Sequence, residues 1–161
     1  MEANERAPIH VAPDDGKMLW VVGELITLET VASDTGGAFA LIEEVTPPQG
    51  GPPPHMHTRE DETFYVLEGE VEFVVEGHTL SATAGSVVYG PRGIPHTFRN
   101  VDTTPSRMAV FITPGGFEGM FEEFGEQVTN PSSPPEGPPD IERLVELNQK
   151  YGVEIMPPPE Q

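Results

Sequence analysis

The sequence predicts an all-β fold, an antiparallel sandwich or barrel, followed by short helices. Short apolar runs rich in Val, Ile, Phe, Tyr and Thr recur along the chain, separated by abundant Gly (17) and Pro (19), a pattern typical of such folds. The stretch EVEFVVEG alternates most clearly, with Val71, Phe73 and Val75 on one face and glutamates on the other. With 161 residues and no internal repeat, the chain is expected to form one domain.

Eight runs are predicted to form the strands of this β-domain. They cover residues 18–31, 37–45, 63–69, 70–77, 78–85, 86–90, 96–101 and 106–114. Gly69, in VLEGEV, is expected to permit a tight hairpin between the third and fourth strands. The predicted organisation is an N-terminal arm at 1–17, a β-barrel at 18–114 and a C-terminal helical extension at 115–161.

The apolar period changes after the last predicted strand. Four residues follow the i, i+3, i+4, i+7 spacing of one helix face: Phe117, Met120, Phe121 and Phe124. This short helix could close one end of the barrel as a lid or merely cover an exposed sheet. Residues 129–139 are rich in Pro and Ser and predict a linker without regular structure. A final helix is predicted to begin after the N-cap Asp140 and to stop at Gly152.

The composition argues against several classes of partner. The chain has 8 Lys and Arg against 27 Asp and Glu, a net charge of −19, which repels nucleic acid and anionic membranes. It has no cysteine, so disulfides, thiol nucleophiles and cysteine zinc sites are excluded. The sequence shows no signal peptide and no long uncharged apolar run, and a cytoplasmic protein is the resulting expectation.

The stretch HMHTREDETFYVLEGE contains the residues best suited to chemistry. In a strand, His55 and His57 share one face, a spacing suited to a single metal ion. Glu62 has the parity of core-facing apolar residues and is expected to point inward, whereas Glu60 and Asp61 are expected to face solvent. A third histidine, His96, lies in another predicted strand. The alternative is that these histidines are structural and the acids form a solvated turn.

Two motifs in the chain resemble those of the cupin superfamily. The first, G(X)5HXH(X)3,4E(X)6G, matches from His55 to Gly69, except that its leading glycine, Gly50, stands one residue too close to His55. The second, G(X)5PXG(X)2H(X)3N, matches at each fixed position: Gly85, Pro91, Gly93, His96 and Asn100.

The resemblance implies a single cupin barrel, also described as a double-stranded β-helix or jelly roll. It also implies that four residues hold one divalent transition metal ion inside the barrel: His55, His57, Glu62 and His96. Three imidazoles and one carboxylate suit Fe, Mn, Ni, Co, Cu or Zn and leave coordination positions open for other ligands. A homodimer is a further expectation from the resemblance.

A longer part of the chain looks like the small bacterial cupins of the quercetin-dioxygenase-like group. This implies a dioxygenase that uses O2 to oxidise a small enolisable or phenolic substrate, of flavonol or polyketide type, with Glu62 also acting as a base. Five residues are candidates for substrate contact, unless they are simply core: Phe64, Val66, Phe73, Phe98 and Met108. Two alternatives remain open. One is a metal-dependent isomerase, cyclase, dehydratase or decarboxylase without redox chemistry, and the other is a non-catalytic cupin that binds a small molecule.

Overall fold

A computed structural model describes residues 6–157 of the chain. The strands, in chain order, are β1 (Lys17–Val21), β2 (Glu24–Thr30), β3 (Ala40–Thr46), β4 (His55–His57), β5 (Asp61–Glu68), β6 (Glu70–Val75), β7 (His78–Thr83), β8 (Val87–Gly90), β9 (His96–Asn100), β10 (Ser106–Thr113), β11 (Glu126–Gln127) and β12 (Val153–Ile155). The helices are α1 (Ala32–Thr35), α2 (Glu118–Phe124) and α3 (Ile141–Lys150).

Within the described residues the strands form two antiparallel sheets. The larger sheet has the order β11-β1-β2-β3-β10-β5-β8, and the smaller has the order β12-β4-β9-β6-β7. This confirms the predicted all-β class, and the two sheets with their short C-terminal helices have the predicted jelly-roll arrangement. The division into arm, barrel and extension stays a prediction, and residues 1–5 and 158–161 of it lie outside the described part of the chain.

The core lies between the two sheets, as strand alternation predicts. In β6, Val71 and Phe73 are fully buried, while the glutamates beside them are not. Phe64 and Val66 of β5 and Met108 of β10 are also buried in this core. Full burial of side chains of this size stabilises the fold by roughly 1.5–3 kcal/mol each.

One strand prediction and one turn prediction were wrong. The run at 18–31 is two strands, because Val22 and Gly23 take positive φ values of 49° and 79° and reverse the chain. Valine rarely adopts this conformation, so Val22 carries little signal for a turn. Gly69 does not join a hairpin, because β5 and β6 belong to different sheets. Its φ of 89° instead redirects the chain from one sheet to the other, close against Ser106.

The predicted C-terminal helices are confirmed, and they pack back onto the barrel. Phe117, just before α2, is buried, and Asp140 caps α3 by accepting a hydrogen bond from the Arg143 backbone N–H at 3.0 Å. The short strands β11 and β12 were not predicted; they extend the two sheets by pairing with β1 and β4. Among the described residues, the helices are too short and too polar to cross a bilayer.

Candidate metal centre

The histidines come from two neighbouring strands of the smaller sheet. His55 and His57 lie on β4, and His96, the first residue of β9, pairs directly with His55. The other edge of β4 pairs with β12, which places Val153 opposite His57. Because both edges of this three-residue strand are held, the two imidazoles have a fixed direction.

Glu62 reaches the same point from the opposite sheet. It lies on β5, where buried residues alternate with half-buried or exposed ones. Glu62 is one of the buried residues, with 6% of its surface exposed. Its Oε2 atom lies 2.9 Å from His96 Nε2 and 3.1 Å from His57 Nε2. One potential ligand atom from each of the four residues lies within 4.8 Å of the others: His55, His57, Glu62 and His96. The structure thus brings together the residues predicted as ligands, while metal binding itself stays a prediction.

The nitrogens that face away from the centre also have acceptors. His55 Nδ1 lies 2.8 Å from the Pro53 carbonyl oxygen, and His96 Nδ1 lies 3.5 Å from that of Ile94. With a metal ion bound, these contacts would hold the proton of each ring on Nδ1 and leave Nε2 free to face the ion. Without one, His96 Nε2–H donates to Glu62 Oε2 at 2.9 Å. Among the described residues, neither ring nitrogen of His57 makes a hydrogen bond of good geometry, although Nε2 lies 3.1 Å from Glu62 Oε2. A buried nitrogen without a partner next to a carboxylate and two further imidazoles is consistent with a metal ligand, so the residues fit such an ion.

Burial and charge shift the titration of this cluster in opposite directions. Burial, followed by the neighbouring charge of His96, lowers the pKa of His55 to about 4. Burial also acts to lower the pKa of His57, but Glu62 and then Glu60 outweigh it and raise that pKa to about 9. Burial acts to raise the pKa of Glu62, but His57 and His96 hold it well below its usual value. In metal-free protein at neutral pH, His57 and Glu62 therefore form an ion pair, and metal binding would displace the proton on His57 Nε2 while leaving the one on Nδ1.

The prediction that Glu60 faces solvent was wrong. Glu60 is 4% exposed, and its Oε2 atom lies 3.7 Å from His57 Nδ1. Strand alternation fails here because the chain bends between β4 and β5. In this bend Thr58 donates to the carbonyl of Gly152, just after α3, and Arg59 donates to that of Lys150, the last residue of α3. Asp61 is more exposed and pairs with Arg92, with an oxygen 3.1 Å from Nε.

A cavity of about 130 Å³ opens beside the cluster. His55 and Glu62 line it, together with Phe64 and Phe98 among the predicted substrate contacts. Val66, Phe73 and Met108 do not line this cavity; they are buried in the core, at 0% exposure. The C-terminal helices cover the cavity through Phe117, Met120, Phe121, Leu144 and Asn148.

Two further acids in the cavity wall, Glu24 and Glu44, were missed by the sequence interpretation. Burial raises the pKa of Glu24 and raises that of Glu44 well above its usual value, with the charge of Glu24 adding to the shift at Glu44. The alternation of β3 could have identified Glu44, because it shares parity with the buried Ala40 and Ile42.

Glu44→Gln is expected to stabilise metal-free protein at pH 8 and to have little effect at pH 5. A carboxyl whose pKa is raised on folding contributes stability at low pH that is lost as pH rises toward the raised pKa. Glutamine does not ionise, so the melting temperature of the variant should exceed that of the wild type increasingly from pH 5 to pH 8. Glu43→Gln, on the opposite face of β3, is the control. A difference for Glu44→Gln that stays constant across this pH range would contradict the prediction.

The fold and the cluster together define a small β-barrel protein with a buried three-histidine, one-carboxylate centre. Residues 42–113 match the family model described as Cupin domain. The match covers 72 of the 161 residues, from β3 to β10, and includes all four residues of the cluster, so this part of the chain is cupin-like.

Two curated relatives are quercetin 2,3-dioxygenases. The enzyme of Bacillus subtilis (strain 168) is 25% identical over 74% of this chain and 35% of its own length. That of Aspergillus japonicus is 27% identical over 81% of this chain and 41% of its own length. The chain therefore spans only about two fifths of the length of these relatives.

Two solved structures resemble the chain. The polyketide cyclase RemF from Streptomyces resistomycificus is 27% identical, with a TM-score of 0.59 over 66% of this chain and 80% of RemF. KdgF from Halomonas sp. has a TM-score of 0.62 at 16% identity, over 68% of this chain and 96% of KdgF. At this identity the similarity shows only that the two proteins share a fold.

Proposed function

We propose that the protein is a metal-dependent cupin dioxygenase acting on a small enolisable or phenolic compound. The observation that carries the proposal is the opening of the buried His/Glu cluster onto a cavity with a mostly apolar wall. The similarity to two quercetin 2,3-dioxygenases supports it. Iron, manganese, nickel, cobalt, copper or zinc suits the donor set, and such an ion would supply Lewis acidity and, when redox-active, electron transfer.

The cavity favours a compact substrate. Its volume of about 130 Å³ is below the roughly 300–1,000 Å³ of pockets for drug-sized ligands. A single-ring phenol or a short diketone therefore fits better than a three-ring flavonol. Phe64, Phe98 and Phe117 would pack against its apolar part and exclude water from the centre.

Two carboxyl groups are candidates for moving the substrate proton. Glu62 belongs to the cluster and also lines the cavity, and it is the base expected from the family resemblance. Its depressed pKa keeps it ionised, which suits a metal ligand. A general acid or base works best when its pKa lies near the operating pH. The raised pKa of Glu44, across the same cavity, makes Glu44 the second candidate.

A reaction without redox chemistry is the second candidate function. The similarity to the polyketide cyclase RemF favours it, since the match extends over 80% of RemF at 27% identity. In this reaction the residues around the cavity would hold an enolate-forming substrate, and Glu44 or Glu62 would transfer the proton without consumption of O2.

The proposal is tested by loading metal-free protein anaerobically with one metal at a time and then adding O2 and a substrate panel. The panel contains single-ring phenols, diketones and flavonols, and both O2 consumption and product are measured. A dioxygenase should consume O2 with a redox-active ion and be inactive with zinc. Turnover that is retained with zinc and consumes no O2 would favour the second candidate. Metal-loaded protein that binds but never converts any compound would contradict both.

Three variants sharpen this assay. Glu62→Gln is expected to lose metal and activity together, and Glu44→Gln to keep the metal and lose turnover if Glu44 transfers the proton. Asp61→Asn, next to Glu62 but paired with Arg92 on the outside, is the matched control and should leave metal content and activity unchanged.

The homodimer and the cytoplasmic location expected from the sequence stay predictions.

A further inference from the structure

Glu60 is a buried acid, and one of its two carboxylate oxygens lacks the hydrogen bond that burial normally demands. Its side chain is 5% exposed, and Oε2 has no hydrogen-bond partner among the described residues. Its other oxygen packs against Gly116, where an added Cβ would lie 3.7 Å from Oε1. Leaving a buried polar group without a hydrogen bond costs folding free energy, so the burial of Glu60 needs a physical explanation.

The nearest polar atom to that oxygen is itself unsatisfied. His57 Nδ1 lies 3.7 Å from Glu60 Oε2, and it too lacks a hydrogen-bond partner in the part of the chain that the structure describes. The His57 side chain is 1% exposed, and the Phe117 ring covers it edge-on, with 4.5 Å between ring centroids. Both atoms are shielded from water, so each can satisfy the other with a movement of less than about 1 Å.

The three histidines of the centre show a shared arrangement. Each turns Nδ1 away from the cluster: toward the carbonyl oxygen of Pro53 for His55, toward that of Ile94 for His96 and toward Glu60 for His57. Only the His57 acceptor carries a charge. An imidazole that binds a metal through Nε2 must hold its proton on Nδ1, and an acceptor there fixes the tautomer and the ring direction.

We propose that Glu60 is a positioning residue of the metal centre, which accepts the His57 Nδ1–H and holds Nε2 of that ring toward the ion. The inference rests on the proposed metal site. Charge supports it as well: two carboxylates, Glu60 and Glu62, balance a divalent ion bound by three neutral imidazoles in a buried site. Glu60 does not line the cavity beside the cluster, so it would act through His57 and not by contact with substrate.

The experiment compares zinc binding by wild type, Glu60→Leu, Glu60→Gln and the control Asp61→Asn, using competition with a chelator. Glu60→Leu is expected to weaken zinc binding about 10- to 100-fold. Glu60→Gln should recover part of that loss because its carbonyl oxygen still accepts a hydrogen bond, and Asp61→Asn should match the wild type. Thermal unfolding of the zinc-free variants reports whether each is folded.

A second measurement on the wild type does not depend on any variant. Nitrogen-15 NMR of the histidine rings in zinc-loaded protein should show the His57 proton on Nδ1 and the metal on Nε2. A His57 proton on Nε2, or equal zinc affinity in folded Glu60→Leu and wild type, would overturn the role of Glu60 alone. Failure of both wild type and Asp61→Asn to bind zinc would overturn the metal site and this inference together.

Discussion

His96→Ala is expected to reduce bound transition metal from about one ion per chain to nearly none. His96 Nε2 lies 2.9 Å from Glu62 Oε2, and His96 is the ligand that β9 contributes beside β4. Its removal leaves two imidazoles and one carboxylate and opens a gap in the centre, which favours loss of the ion during purification. Elemental analysis after gel filtration measures the metal content.

His78→Ala provides the control for this experiment. His78 begins β7 in the same sheet, but it is exposed, β6 separates it from His96, and it is not one of the four residues of the cluster. It should retain the metal content of the wild type. Equal retention of metal by the His96 and His78 variants would contradict the assignment of His96 as a ligand.

Gly51→Ala is expected to cause the largest loss of stability among single substitutions near the site. Gly51 has a φ of +151°, and an added Cβ would lie 2.0 Å from the Phe98 carbonyl oxygen of β9. The clash is with backbone, which cannot move without disrupting the sheet. The loss of unfolding free energy should be at least about 3 kcal/mol, measured by denaturant titration.

Gly77→Ala separates the clash from the backbone strain. Gly77 also has a positive φ, +78°, but no atom lies within 4 Å of an added Cβ. It should therefore cost only about 1–2 kcal/mol. Equal losses in the two variants would show that contact with Phe98 is unimportant. Because Gly51 leads through Pro52–Pro54 into β4, the Gly51 variant should also lose metal, whereas the Gly77 variant should not.

The predicted ligand cluster follows from local sequence, and this explains why it could be assigned before the structure. His55 and His57 are two residues apart in one strand, and Glu62 shares parity with the buried Phe64. Side chains two residues apart in a strand point the same way whatever the rest of the fold does. His96 was connected to them by its motif, and the strand pairing places it opposite His55.

Glu60 shows where such reasoning stops. Alternation holds only while the backbone stays extended, and the bend before β5 is fixed by contacts with residues about 90 positions later, Lys150 and Gly152. The strand β12 was missed for a related reason. Its three residues carry no periodic signal, and only pairing with β4 makes them a strand.

The substrate contacts were less predictable than the ligands. Parity places Phe64, Phe73 and Met108 in the interior, but it does not say which interior side chains border empty space. The position of the cavity depends on how α2 and α3 pack over the barrel. For the same reason the sequence does not show that Glu24 and Glu44 line this cavity, although strand alternation alone places Glu44 inside the barrel.

The central claim is that His55, His57, Glu62 and His96 bind one metal ion, and anomalous X-ray scattering from crystals of metal-loaded protein tests it most directly. The expected result is one strong anomalous peak about 2.0–2.3 Å from an Nε2 atom of each histidine and an oxygen of Glu62. A crystal of the loaded protein with no anomalous peak among these four side chains, or with its peak elsewhere, would contradict the account.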